Sequence, residues 1–428
     1  MNTAVVGSVS ANLSVIPKDP GYITLPPTGL EAPLTETQVQ IIDTVRRFAR
    51  EVMRPAGIEL DKLEPEEAIA EGSPLWGVFR KFGELGLTVS SFAEIPKEEM
   101  PVLFPAVWEE LGYGDGGLAI SLAVYMLPHL FMAEWGRMDL FQRIPESSIG
   151  CWAITEPDHG SDMLDADGHT YYPGGQKSKP NLLATLKGDK VILNGQKAAW
   201  VSNGTIAQHT LLYTAFDRGN GPGEGIVMVV PLDLPGVTKG KPLDKIGQRP
   251  LNQGEIFFNN VEVPTEFIIA QPEQYKDAVH AILAEANSLM AAVWTGAARA
   301  AFELARDYVH VRKQGGAPIH RHQNVKYRLF HMFRQVEISR AISRRVYHYN
   351  HTAPAPALQG SIAAKVTATQ AAFDVASMAI QLFGGNGLTK EYPVEKLLRD
   401  ARASMIEDGC NEMLAIKGGA RLIDPDFK

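Results

Sequence analysis

Only two of the 428 residues are cysteines, Cys151 and Cys410. That excludes a disulfide framework, and the lack of any C-x-x-C spacing excludes the zinc sites built on it. So few thiols fit a reducing compartment, and the cytoplasm is the expected location. Basic residues are also short: 41 Lys and Arg stand against 49 Asp and Glu, a net charge of −8. A nucleic-acid surface needs the opposite balance. The opening MNTAVVGSVSANLSVIPK has no basic cluster and no long apolar run, and the first arginine is Arg46. Neither a secretory leader nor a mitochondrial transit peptide is therefore expected. No run of about 18 apolar residues appears, which predicts no transmembrane helix. Asn12-Leu13-Ser14 matches a glycosylation sequon, but without a secretory route it reads as chance.

Other signals are missing too. No repeat at a period of about 20–50 residues is visible. GYGDGG (112–117) lacks the G-x-G-x-x-G spacing and follows a helical pattern, so a dinucleotide-binding fold is not read from it. His320, His322 and His331 lie in a basic stretch at no metal-ligand spacing, and no metal is expected.

What is present is an ordinary globular composition, 45% hydrophobic and 21% charged, over a length that suits two or three domains. Residues 1–33 are rich in small residues and proline and read as an irregular arm. Residues 34–149 have helical periodicity. In its first helix Thr35 and Gln38 form a capping box, and Val39, Ile42, Val45, Phe48, Val52 and Met53 recur at helical spacing. Further helices are predicted around 75–85, 101–113 and 118–134. Residues 150–271 hold short β-rich runs, HTLLYTAF, GIVMVVPL and GEIFFNNVEV, with glycine- and proline-bearing breaks. Residues 272–428 return to long helices, predicted over 275–312, 323–352, 358–383 and 391–403, as in a bundle.

The candidate chemistry is scattered. AITEPDHGSDM (153–163) offers small and hydroxyl-bearing residues for a polar cofactor edge, and is equally a surface loop. NGQKAAWVSNG (194–204) places Trp200 near Ser202: a buried Trp beside a hydroxyl could face an aromatic cofactor, or could be a core Trp on a strand. The glycines of QLFGGNGL (381–388) allow close approach of a phosphate, or simply cap a helix. Arg312 could pair with a pyrophosphate, or be a solvated helix residue. IEDGCNEML (406–414) crowds Glu407, Asp408 and Glu412 together, as a solvated helix start or as a pocketed proton acceptor.

Taken in order, these segments resemble the acyl-CoA dehydrogenase family of FAD enzymes, from about Leu34 to the C-terminus. TEPDHGSD resembles the family's T-E-P-x-x-G-S-D, and NGQKAAWVSNG its N-G-x-K-x-W-I-T-N-G. IGQRPLNQGEIFFNNVEVP is similar to the segment that closes its β-domain. QLFGGNGLTKEYPVEKLLRDAR resembles its Q-x-x-G-G-x-G-x-x-x-E-Y-P-V-E-x-x-x-R-D-A. The resemblance implies an α+β multidomain chain: an N-terminal α-helical domain, a central β-barrel and a C-terminal four-helix bundle. It also implies roles. Thr155 and Ser202 would bond the flavin ring, with Trp152, Ile154, Gly160 and Trp200 beside it. Arg312, Gln323, Gln381, Gly384 and Gly385 would hold the FAD of a neighbouring subunit, and Cys410 and Glu412 would lie near FAD. Ser161, Asn287 and Gly409 would face the acyl-CoA substrate. A dimer of dimers and an electron-transfer flavoprotein as acceptor follow from the same resemblance.

Counted from YPVEKLLRDA, the family's Y-E-G-T falls on EDGC, so Asp408 stands where the family carries its catalytic glutamate. A second family position for the base falls on Ala286, with Glu285 next to it. Three departures stand out. The connection after GSD is long, and an extra hairpin or loop near the CoA entrance is expected over 163–190. SSFAEIPKEEM replaces a glycine-rich stretch, and Asn287 stands where an arginine is usual. The implied reaction is α,β-desaturation of an acyl thioester, with a cyclic, branched or unsaturated acyl group as one reading. A flavin oxidase, a redox-neutral acyl-CoA lyase and a non-catalytic FAD-binding subunit remain the alternatives.

Overall fold

The computed structural model describes residues 34–168 and 179–423. The expected N-terminal arm, and residues 169–178 of the long connection, lie outside them. Helices of eleven residues or more are numbered here among the described residues: α1 Glu36–Phe48, α2 Pro74–Glu84, α3 Met100–Gly114, α4 Gly116–Glu134, α5 Tyr275–Val311, α6 Gln323–Thr352, α7 Leu358–Phe383, α8 Val394–Ser404 and α9 Asn411–Ile423. Thr35 caps α1 as its sequence requires: its hydroxyl accepts from the Gln38 N–H at 3.2 Å, and Gln38 Oε1 accepts from the Thr35 N–H at 3.0 Å. Where the sequence predicts one continuous helix to Met53, residues Ala49–Met53 form a π-helical turn. Ala49 and Met53 are fully buried there, and the turn lies close against Gly114 of α3.

The helices at the two ends of the chain share one apolar core, which runs from Ile42 and Trp108 through Trp294 to Ala364 and Val375. α3 and α5 approach closely because glycines face the neighbouring backbone: a Cβ on Gly112 would lie 2.0 Å from the Val293 carbonyl oxygen, and one on Gly296 would lie 2.0 Å from that of Glu109. Helices α5 to α8 pack on one another and match the predicted bundle segments. α4 is long and apolar enough by composition to cross a membrane, but 72% of its apolar window is buried inside the protein.

The β segments form one eight-stranded sheet: β1 Gly150–Ala153, β2 Leu182–Lys187, β3 Lys190–Lys197, β4 His209–Asp217, β5 Pro222–Pro231, β6 Val237–Lys239, β7 Ile256–Pro264 and β8 Ile268–Ala270. The order is β6-β7-β3-β2-β4-β5-β8, with β1 on β4. This corrects the expected barrel, because the sheet is open. β1 pairs in parallel with residues 209–212 of β4 and β2 in parallel with residues 215–217, while β5 takes the other flank. The short strands β6 and β8 end the sheet without pairing to each other. Part of the expected insertion is the β2–β3 hairpin, which turns at Gly188 with φ +65°.

Candidate active site

β1 ends at Ala153, and the chain then carries Ile154 and Thr155 off the sheet. A fully buried ion pair fixes this exit: Lys197 Nζ donates to Glu156 Oε1 at 2.7 Å and to the Ile154 carbonyl at 2.9 Å. Glu156 Oε2 in turn accepts the Leu182 N–H at 3.3 Å. The Thr155 carbonyl accepts the Ala198 N–H at 2.9 Å, so Thr155 lies beside the chain leaving β3. Beyond that point Gln253 Nε2 donates to the Trp200 carbonyl at 3.3 Å and to Ser202 Oγ at 3.2 Å. Asn203, with φ +61° and no exposure, anchors the turn through Ser121: it accepts from the hydroxyl at 2.7 Å and donates to the carbonyl at 2.9 Å. Trp200 is not the core residue of one sequence reading. β3 stops at Lys197, and the Trp200 side chain is 61% exposed.

The acidic stretch forms the turn between α8 and α9. Asp408 has φ +52° and Gly409 φ +91°, two successive left-handed residues. The Cys410 N–H donates to Ser161 Oγ at 3.1 Å, which ties the turn to the TEPDHGS loop. Trp152, Ile154, Met413 and Leu414 belong to one apolar cluster, with Cys410 and Ala286 packed against it. Of the predicted site residues, Ser161, Trp152, Ile154 and Cys410 thus meet at or beside this turn, Thr155 and Ser202 lie on the neighbouring loops, and Glu412 is exposed on α9.

The three carboxylates of this stretch differ in environment. Burial pushes the Asp408 carboxyl up to about 6 against the opposing Lys365 charge. Among the described residues its carboxylate makes no hydrogen bond or ion pair, and its N–H has no backbone partner. The Glu407 carboxyl is raised by burial and then by Asp408, but it accepts a 2.7 Å bond from Gln248 Nε2. Gln248 is held in turn by Asp400. Elsewhere, burial raises Glu285 to about 7, and burial with Glu285 beside it raises Glu134 to about 7. Asn287 is buried, with its Nδ2 bonded to the Leu283 carbonyl at 2.9 Å.

The second half of the predicted site lies elsewhere in the same chain. Arg312, Gln323, Gln381, Gly384 and Gly385 are all exposed. The end of α5 meets the end of α7, where the rings of Tyr308 and Phe383 stack at 3.8 Å and Asn386 Nδ2 donates to the Tyr308 hydroxyl at 3.0 Å. Gly384 has φ +62°, and a Cβ on Gly384 or Gly385 would meet open space. At about 1.5 Å per residue, Gln381 is about 24 Å along α7 from Lys365, and the end of α5 is about 38 Å from Ala286.

Two residues at the site escaped the sequence reading. Gln248, at φ +49°, carries the bond to Glu407. Lys365 lies on the buried face of α7 between small residues, with no exposure. A lysine inside the apolar period of IAAKVTATQAA was the available signal.

Residues 151–261 match the middle-domain family of acyl-CoA dehydrogenases, and residues 277–423 match the C-terminal-domain family. A probable acyl-CoA dehydrogenase of Bacillus subtilis, YngJ, is 30% identical over 392 residues, which cover 89% of this chain and 96% of that protein. Cyclohex-1-ene-1-carbonyl-CoA dehydrogenase of Geobacter metallireducens is 30% identical over 401 residues, 92% of this chain and 99% of that one. Among solved structures, butyryl-CoA dehydrogenase of Megasphaera elsdenii superposes with a TM-score of 0.79 at 25% identity, over 92% of this chain and 100% of that chain.

Proposed function

The chain belongs to the acyl-CoA dehydrogenase family, FAD-dependent oxidoreductases that act on CH–CH bonds, and from that premise we propose that it desaturates an acyl-CoA thioester at Cα–Cβ with Asp408 as the base. The observation that carries this reading is the left-handed Asp408–Gly409 turn, which presents a half-buried carboxylate, unpaired among the described residues and raised to about 6.

The residues present fit a flavin. Trp152 Nε1 is buried with no partner among the described residues, and Thr155 and Ser202 carry half-buried hydroxyls. The exposed Trp200 ring is proposed to add an aromatic wall, with Ile154 and Gly160 on the loop that carries Thr155, Cys410 on the turn that Ser161 ties to that loop, and Glu412 at the start of α9. When bound, FAD supplies the acceptor for the β-hydride. Asp408 takes the α-proton, and a pKa near 6 makes it a stronger base than an ordinary aspartate while leaving it ionised at neutral pH. The Asp408 N–H is available to the thioester oxygen, where charge develops as the proton leaves. Gly409 lets the substrate approach the turn, and Ser161 beside it is the contact proposed for the CoA tail. The product is an enoyl-CoA. Asn287 is buried, so its contribution is to the wall behind the acyl group.

Aspartate reaches about 1.5 Å less far than glutamate, the length of one C–C bond. An acyl group that brings its α-carbon closer suits that reach, and a cyclic or unsaturated acyl group is the proposed class. Arg312 at the end of α5, Gln323 at the start of α6 and Gln381, Gly384 and Gly385 at the end of α7 lie away from the turn that carries Asp408. They are proposed to hold the FAD of a second subunit within a dimer of dimers. The exposed Tyr327, Phe330 and Ile338 on α6 supply apolar surface for such an assembly. An electron-transfer flavoprotein in the cytoplasm is the proposed acceptor.

Anaerobic mixing of the purified protein with a panel of acyl-CoA thioesters tests the reading. Bleaching of the flavin with one enoyl-CoA formed per flavin reduced is expected, fastest with a cyclic or unsaturated acyl group. A flavin that no thioester bleaches would sink the proposal. Rapid oxygen consumption with substrate alone would replace the dehydrogenase by an oxidase.

A further inference from the structure

Four lysines are buried among the described residues: Lys197, Lys365, Lys396 and Lys417. A buried ammonium is costly unless a carboxylate and hydrogen bonds compensate it. Three of the four have that compensation. Lys197 pairs with Glu156, Lys396 with Asp115 and Asp400, and Lys417 with Asp165 and Asp167. Lys365 has no ion pair among the described residues, although its exposure is zero. Its ammonium donates instead to the Gly409 carbonyl at 2.8 Å and to Asn411 Oδ1 at 2.9 Å. Asn411 is itself oriented by Thr369, one turn further along α7, whose Oγ1 accepts from Asn411 Nδ2 at 3.1 Å.

We infer that Lys365 is a positioning residue for Asp408: it holds the Gly409 carbonyl and the Asn411 side chain from the buried side and supplies the charge that Asp408 faces across the turn. The inference rests on the assignment of Asp408 as the base. Two left-handed residues in succession are strained for Asp408 and need an external hold. The Lys365 bonds fall on the two residues that follow Asp408 at one and three positions, so they fix the direction in which its carboxylate leaves the turn.

The charged and titratable groups facing this ammonium are Asp408 and Glu407 on the turn, Cys410 after it and Glu412 at the start of α9; Lys245 faces Glu407 from the other side. Burial holds the Lys365 ammonium down to about 8, so it is still charged at neutral pH. Its charge opposes the burial that raises Asp408. Removing that charge moves the ionisation of Asp408 upward.

Lys365→Met and Asn411→Leu, compared with the parent, test the inference. The readouts are FAD content, amide hydrogen exchange of the 406–414 peptide without substrate, and the pH profile of anaerobic flavin reduction. Lys365→Met is expected to keep its FAD and to exchange in 406–414 at least about tenfold faster. It should reduce flavin tens-fold more slowly, with the acid limb of the profile moved upward by about one pH unit. Asn411→Leu keeps the charge, so it should slow reduction several-fold and leave the limb in place; it decides alone if Lys365→Met does not fold. Parental exchange and a parental limb in Lys365→Met, or a parental rate in Asn411→Leu, overturn the inference. A parent that no acyl-CoA reduces sinks the assignment of function instead, and the exchange readout still judges the clamp.

Discussion

Asp408 and Glu407 are neighbours in sequence, and burial raises both, yet only one is free to act. Glu407 has a fixed 2.7 Å donor in Gln248, and moving a proton onto it would weaken that bond. Asp408 has no such partner among the described residues. The pH dependence follows from its raised carboxyl. The base works ionised, so flavin reduction should fall about tenfold per unit below pH about 6 and level off above it. Stopped-flow reduction between pH 5 and 8 checks this; a flat profile across 6 would remove Asp408 from the proton transfer. At the same scale, the exposure of Trp200 was not legible in the sequence, because it depends on where β3 stops. For Lys365 the apolar period of IAAKVTATQAA marked a buried lysine, but its acceptors, 44 and 46 residues further on, were not legible.

At the scale of elements, helix boundaries were the most legible feature. The predicted segments 275–312, 323–352 and 358–383 coincide with α5, α6 and α7 because each carries its own apolar period. The sheet was legible strand by strand but not as a closed or open form. That depends on β1 and β2 sharing one flank of β4, a non-local pairing no local pattern encodes. Two clamps between elements make separate predictions. Glu109 on α3 is fully buried and bonds Arg299 of α5 at 2.7 Å and Arg340 and Arg344 of α6 at 2.9 and 2.7 Å. Burial alone would raise its carboxyl, but Arg340, Arg344 and Arg299 together pull it down to about 2. Its folded pKa is therefore depressed: the stability it contributes is present above the ordinary glutamate value and is lost as pH falls toward 2. Glu109→Gln should cost about 3–5 kcal/mol at neutral pH, seen as a lower Tm, because three buried guanidinium groups lose a shared counter-charge. An unchanged Tm would show that Glu110 and Glu337 suffice. The second clamp fastens the long connection. Asp167 meets Lys276 and His280 of α5 and Lys417 of α9. Asp167→Asn should raise the KM for acyl-CoA several-fold while kcat stays within about twofold, if this segment shapes the CoA entrance. Equal losses in both constants would instead make the clamp part of the reacting geometry.

For the whole molecule, the predicted site residues fall into two groups, and the proposed shared FAD site joins them across subunits. Trp152 packs with Met413 and Leu414 of α9 and Ser161 bonds the turn after Asp408, whereas Arg312 and Gln381 to Gly385 lie at the ends of α5 and α7 and Gln323 at the start of α6. Ordered motifs suggested both groups in the sequence, but only the helix lengths separate them in space. FAD binding and assembly should therefore fail together. Arg312→Ala is expected to lose most of its FAD and to shift toward smaller species in sedimentation. A monomer that retains a full complement of FAD would rule out the shared site.

The most direct test of the account compares Asp408→Asn and Glu407→Gln in anaerobic flavin reduction by a saturating acyl-CoA that the parent oxidises. Asparagine keeps the size and the backbone N–H but cannot accept the proton. Asp408→Asn should bind FAD and acyl-CoA normally and reduce flavin about 10²–10⁴-fold more slowly. Glu407→Gln should stay within about tenfold of the parent. The reverse order, with Asp408→Asn near the parental rate and Glu407→Gln nearly inactive, would contradict the assignment of Asp408 as the base.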